Sequence, residues 1–186
     1  VNMQLDELLA AAAQQETLIL PQSWAQGRAI FGGLVAGLML ARAEKLVNDP
    51  SKVLRSAFVS FVGPVASGAA TLSAQMLRQG KSVVSIQVHL LQAGQVQSVL
   101  VASFGAARDS IINVLGSHTA PQFRNPKDCQ PLPYMPGITP EFFQHFDVVW
   151  SEGKMPFTGA KQPDFGGWMR FKSSENIAQV TLPHLM

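Results

Sequence analysis

The first eleven-residue window with a clear period is Gln4–Gln14, where Leu5, Leu8, Leu9 and Ala12 recur at helical spacing; it predicts a short amphipathic helix. Thr17–Leu20 follows as a short strand that Pro21 stops. From Gly27 to Val47 the pattern changes. Leu34, Leu38 and Ala41 share one helical face, Val35, Met39 and Arg42 a neighbouring one, and almost every face is apolar until Arg42, Glu44 and Lys45. A helix that is apolar all round is buried on most sides. Asn48-Asp49-Pro50 ends it, because a residue before proline avoids the helical region.

Beyond Pro50 the period falls from 3.6 to 2. Strands are predicted at Leu54–Val62, Ala69–Arg78, Ser82–Gln92 and Val96–Phe104, with breaks at Gly63-Pro64, Gln79-Gly80 and Ala93-Gly94-Gln95. In the third, Val84, Ile86, Val88 and Leu90 lie on one face and Val83, Ser85, Gln87 and His89 on the other. Turns this short force the last three strands to be antiparallel. One long buried helix followed by antiparallel strands packs most economically as a curved sheet wrapped around that helix, an α+β arrangement.

Residues 110–137 differ in kind. Pro121, Pro126, Pro131, Pro133 and Pro136 read as an extended linker. Past it, Pro140-Glu141 starts a helical turn, and Phe142–Trp150 and Gly166–Lys172 read as strands. Two strands cannot close a core, so 138–186 reads as the start of a second unit that the chain cuts short. The division expected is 1–109, a linker at 110–137, and 138–186.

Composition narrows the functional classes. Charged residues are only 14% of the 186 and apolar residues 47%, so disorder is excluded, and a surface this poor in charge implies cover by another domain or subunit. The net charge of +2 comes from scattered Lys and Arg, without the basic stripe of a nucleic-acid binder. The apolar run Ala29–Ala41 is shorter than the roughly 20 residues a membrane span needs. A single cysteine, Cys129, reads as an incidental thiol; with no signal-peptide pattern, it points to the cytoplasm. His89 reads as a cross-strand histidine, and His118, His145 and His184 lack metal-ligand spacing, so no metal is expected.

Several motifs then fall in order. Phe31-Gly32-Gly33-Leu34-Val35-Ala36-Gly37 resembles the Phe-Gly-Gly start of the central helix in the medium- and long-chain acyl-CoA thioesterases of the TesB type. Leu54-Arg55-Ser56 with Phe61 resembles the family's next strand, Gly63-Pro64 its stop, Leu77-Arg78-Gln79-Gly80-Lys81-Ser82 its Leu-Arg-x-Gly-[Arg or Lys]-Ser turn, and Ala102-Ser103-Phe104 its fourth strand. The resemblance covers Gly27 to about Asp109 well and is weaker from Phe142 onward. It implies a hot-dog fold, here one full unit at 1–109 and a partial second one, acting without a cofactor on acyl-CoA and assembling into homo-oligomers through its sheets.

Thioester hydrolysis needs donors aimed at the developing oxyanion and a base for the attacking water. Phe31, Gly32 and Gly33, at a helix N-terminus, fit the oxyanion and substrate role; the alternative is that the glycines serve only close packing. Arg78, Gly80, Lys81 and Ser82 could hold CoA phosphates, or form an ordinary polar hairpin end. Where single-unit relatives place a carboxylate, this helix carries Met39, Leu40 and Ala41, and Glu44, beside Arg42 and Lys45, reads as solvated. The resemblance puts the base on the second unit's helix, for which His184-Leu185-Met186 resembles the approach, so the base is expected beyond Met186. The rival readings are a non-catalytic acyl-CoA-binding or assembly module, and, last, a hydratase or dehydratase, whose His-Phe-Pro-type loop is absent.

Overall fold

The most apolar stretch of the chain becomes its longest helix, and the first unit is built on covering it. The computed structural model describes residues 4–112, 114, 116, 119–155, 158–172 and 180–186; His118 lies outside them. Two compact units form: Val1–Asp109 with Ile177–Met186, and Ser110–Asn176.

In the first unit, α1 (Leu5–Gln14) precedes β1 (Thr17–Leu20), and a two-residue hairpin of β2 (Ala25–Gln26) and β3 (Ala29–Ile30) leads into α2 (Gly32–Val47). Leu34 through Ala41 and Ala43 are all buried in α2. The helix stops one residue earlier than the proline rule places it. Asn48 adopts the left-handed conformation, φ 47°, and its N–H donates to the Glu44 carbonyl at 3.1 Å. Asparagine tolerates this conformation better than most residues with a side chain, and it closes the helix end.

The strands that follow are β4 (Lys52–Phe61), β5 (Gly68–Gln79), β6 (Val83–Gln92) and β7 (Gln95–Ala106). With β1 they form one antiparallel sheet in the order β1-β5-β6-β7-β4. Val84, Ile86, Val88 and Leu90 are at most 2% exposed, facing α2 as their alternation requires. Their partners in register include Phe104, Ala102 and Leu100, which are also buried. Each fully buried Leu or Ile of this layer contributes about 2 kcal/mol. The β6–β7 turn is Ala93-Gly94, with φ of 49° and 76°, the double positive φ that matches a two-residue hairpin to the twist of its strands.

Residues 180–186 complete the cover of α2. They form α3 (Leu182–Leu185), with Pro183 buried. A side chain at Gly37 would sit 2.5 Å from the Pro183 carbonyl oxygen, and one at Gly33 would sit 3.0 Å from that of Met186 and closer still to the Phe31 ring. The two glycines, one turn apart, let a second backbone lie directly on the helix. His184 anchors this segment. Its Nδ1 accepts the Thr181 N–H at 3.1 Å, which leaves the proton on Nε2, and Nε2 donates to Asp6 of α1 at 2.9 Å.

The second unit differs from the extended linker expected over 110–137. Gln130–Pro131 is β8, which pairs with β9 (Phe146–Glu152), and β9 pairs with β10 (Gly166–Phe171) in a three-stranded antiparallel sheet. Residues 126–131 therefore belong to folded structure. A short helical turn at Glu141–His145 starts where Pro140 allows it, and the Phe142 and Phe146 rings meet edge to face at 6.2 Å while Phe146 and Phe171 pack tilted at 4.9 Å. Cys129 is buried, its Sγ within 3.2 Å of the Asn125 carbonyl oxygen. Among the described residues no helix is long and apolar enough to cross a membrane.

Substituting Gly37→Ala drives a methyl into a backbone carbonyl that cannot rotate away. It is expected to destabilise the first unit by about 1–3 kcal/mol, read by denaturant unfolding. Ala36→Gly, one position along and without that clash, is expected to cost about 1 kcal/mol.

Candidate functional site

The N-terminus of α2 is fixed from both sides before the helix begins. Ile30 N–H donates to the Val65 carbonyl at 2.7 Å and Phe31 N–H to that of Trp24 at 2.8 Å. The first helical bond is Val35 N–H to the Phe31 carbonyl, 3.2 Å. The N–H groups of Gly32, Gly33 and Leu34 therefore have no backbone acceptor among the described residues, and they stand at the positive end of a sixteen-residue dipole. Gly32 faces the ring of Phe61, 3.1 Å from where a Cβ would lie. Ser98, paired with Phe61 in the register of β4 and β7, is fully buried with its hydroxyl unpartnered among the described residues. Gly33 is more enclosed, between the Phe31 ring and Met186. So Gly32 is free to present its backbone, while Gly33 is held in packing.

Within α2 itself no Asp or Glu precedes Glu44. Met39 and Leu40 are fully buried and Ala41 nearly so. Glu44 is half-buried, where the expectation was a fully solvated side chain. Its neighbour Arg42 turns to α1, donating to the Ala13 carbonyl at 3.2 Å and lying 3.7 Å from Glu16. Glu44 instead lines a cavity of about 370 Å³ at the other end of the helix, without an ion-pair or hydrogen-bond partner among the described residues. Burial pushes its carboxyl above the ordinary 4.5. Asp49 beside it behaves oppositely: the hydrogen bond from Lys52, with those from Ser51, pulls it down to about 2.

Arg78, Gly80, Lys81 and Ser82 do meet at one hairpin end. Gly80 N–H donates to the Val83 carbonyl at 2.8 Å, and the Ser82 carbonyl accepts from Ala106 at 2.9 Å. The side chains of Arg78, Lys81 and Ser82 are exposed. The register separates them from the glycines, however. Val83 of β6 pairs with Gly105, while Phe61 and Leu90 are both level with Ser98. Seven residues of strand lie between, about 23 Å at 3.3 Å per residue. The oxyanion candidates and the phosphate candidates occupy opposite ends of the unit.

His89 and His184 take structural places. His89 lies half-buried on the outer face, its Nε2 2.6 Å from the Gln87 amide nitrogen. His184 pins α3, through a contact with Asp6 that no local pattern reveals across 178 residues. Among the described residues no three His, Cys, Asp or Glu side chains gather as a metal would need. Gly166 and Gly167 after Asp164 open a strand, as their context implies.

The unpaired Glu44 makes a signed prediction. Its burial favours the protonated form, so the folded chain binds that proton more tightly than the unfolded one. Stability attributable to this site is complete below about 4.5 and is lost as pH rises through the raised value. Glu44→Gln should raise the unfolding midpoint at pH 7, and the gain should vanish at low pH in a series of thermal melts.

Residues 20–105 match the family model described as acyl-CoA thioesterase N-terminal domain, and residues 126–186 the one described as acyl-CoA thioesterase C-terminal domain. No curated protein matches the chain. Among solved structures, a hot-dog protein of unknown function from Alicyclobacillus acidocaldarius is similar at TM-score 0.73 and 20% identity, over 93% of this chain and 64% of its own. Acyl-CoA thioesterase II TesB2 of Mycobacterium marinum is similar at TM-score 0.57 and 23% identity, over 83% and 56%. The chain thus spans less than two thirds of the length of either. Both likenesses show a hot-dog fold.

Proposed function

The chain belongs to the TesB-like acyl-CoA thioesterase family, and from that premise we propose that it acts in the hydrolysis of fatty acyl-CoA thioesters to free acid and CoA by an activated water. The observation that carries this reading is the free first turn of α2, in a chain whose two halves match the two domains of the family in order. Attack of water on a thioester carbonyl develops negative charge on oxygen. The Gly32 N–H is a preorganised donor at a positive helix end, which favours that charge over the neutral carbonyl, and the enclosed Gly33 packs beside it. The water's proton goes to a base, the carbon–sulfur bond breaks, and the CoA thiolate takes up a proton. We place the base outside the described residues, on the α2 counterpart of the second unit. On this reading 1–109 is the first hot-dog unit, with Ile177–Met186 packed into it, and the second begins within the remainder of 138–186. Arg78, Gly80, Lys81 and Ser82 then serve phosphates at the far end of the unit or those of a molecule bound across a neighbouring one. One cysteine and a family of reduced-thiol products suit the cytoplasm.

Assembly is part of the same reading. Strand β4 ends the sheet, so its outer edge has no strand beside it among the described residues, and Phe58, Phe61 and Val62 are each more than half exposed. An apolar edge of this kind pairs or aggregates unless covered. A second copy covering it accounts for the low surface charge. Phe58→Lys should shift the chain from oligomer toward monomer in light scattering after size exclusion.

The second reading, binding without turnover, rests on Met39, Leu40 and Ala41 where a base would be. Free-thiol release from acyl-CoAs of increasing chain length separates the two. Release above the spontaneous rate supports hydrolysis. Saturable binding without release supports the binding module, and neither at any chain length contradicts both. Gly32→Pro sharpens the test, because proline is tolerated at a first helical position yet removes the N–H. With Phe61 able to swing aside, it should lower kcat about 10²–10³-fold if Gly32 is an oxyanion donor.

A further inference from the structure

We propose that the cavity at the C-terminal end of α2 is a binding site for a small organic cation, an ammonium group carried on a short hydrocarbon body. Its volume of about 370 Å³ is inside the range of ligand pockets, roughly 300–1,000 Å³. It shares no residue with the first turn of α2, so it stands apart from the thioester reading.

Charge decides the sign of the ligand. Three ionic groups line the cavity: Glu44, Asp49 and Lys52. Lys52 is already committed to Asp49, which also accepts from the Ser51 hydroxyl at 2.6 Å. Those two charges cancel and leave Glu44 unanswered. The same end of α2 carries the negative pole of the helix, where, among the described residues, Asn48 takes the Glu44 carbonyl. An anion placed here meets a carboxylate and a negative dipole; a cation satisfies both.

The walls decide its body. Besides Asn48 and Pro50, the lining is Val47, Val53, Leu54, Phe104 and Leu182, so a hydrated inorganic ion would leave apolar surface wet. An alkylammonium covers that surface with its chain and donates to Glu44 with its head in a charge-assisted hydrogen bond. The burial that raises the Glu44 carboxyl is the cost such a ligand relieves, because a cation favours the ionised form.

Calorimetric titration of the chain with hexylammonium, with hexanol and hexanoate as head-group controls, tests the proposal. Hexylammonium is expected to bind at least about tenfold more tightly than either control, and Glu44→Gln to remove that preference. Methyl NMR of the unaltered chain gives a second reading that does not depend on the variant: the shifts caused by hexylammonium should fall on Val47, Val53, Leu54 and Leu182. Hexanoate binding as well as hexylammonium, an undiminished preference in Glu44→Gln, shifts confined to other methyls, or no binding up to about 10 mM would each overturn it.

Discussion

Covering α2 on every side is the constraint from which the rest of the first unit follows. A helix with Leu34, Val35, Leu38, Met39 and Leu40 spread around its circumference has no face to give to water. The sheet takes one side through β5, β6 and β7, α1 takes another, and residues 182–185 take a third. The third contact is possible because Gly33 and Gly37 leave a notch deep enough for a backbone. The asparagine that closes the helix, and the arginine that leaves it to bond with α1, are consequences of the same burial: each polar group at its end must find a partner or a cavity.

The two ends of that helix consequently differ in chemistry. At the N-terminus, N–H groups without a backbone acceptor among the described residues lie beside the Phe61 ring, a setting suited to developing negative charge. At the C-terminus, the negative pole of the helix lies beside a half-buried carboxylate, suited to positive charge. The phosphate-type side chains of the β5–β6 hairpin lie at the C-terminal end of the sheet, some seven strand residues away from the glycines. A substrate that used both would have to extend along the unit or be shared between neighbouring ones, which gives the exposed β4 edge a functional meaning as well as a structural one.

Most of the first unit was legible in the sequence, because periodicity reports faces. The alternation of Val84, Ile86, Val88 and Leu90 named the inner face of β6, and the short turns dictated antiparallel pairing. The site was less legible, because it depends on what each residue meets. Glu44 read as solvated beside Arg42 and Lys45, and only the tertiary departure of Arg42 to Ala13 exposes it as a lone carboxylate. The glycines read as equivalent, yet Gly32 faces Phe61 and Gly33 is enclosed by Phe31 and Met186. The pairing of His184 with Asp6 has no local signature at all. Prolines made 126–131 read as linker, although Pro131 sits at a sheet edge, where its missing N–H costs nothing.

Amide hydrogen exchange along α2 tests the central claim most directly, namely that this helix is a fully enclosed scaffold with an open first turn. The account predicts that amides from Leu38 to Ala43 exchange among the slowest in the chain, with those of β6, while Gly32, Gly33 and Leu34 exchange orders of magnitude faster. Protection of the first turn equal to that of the helix centre, or a centre that exchanges as readily as α1, would contradict it.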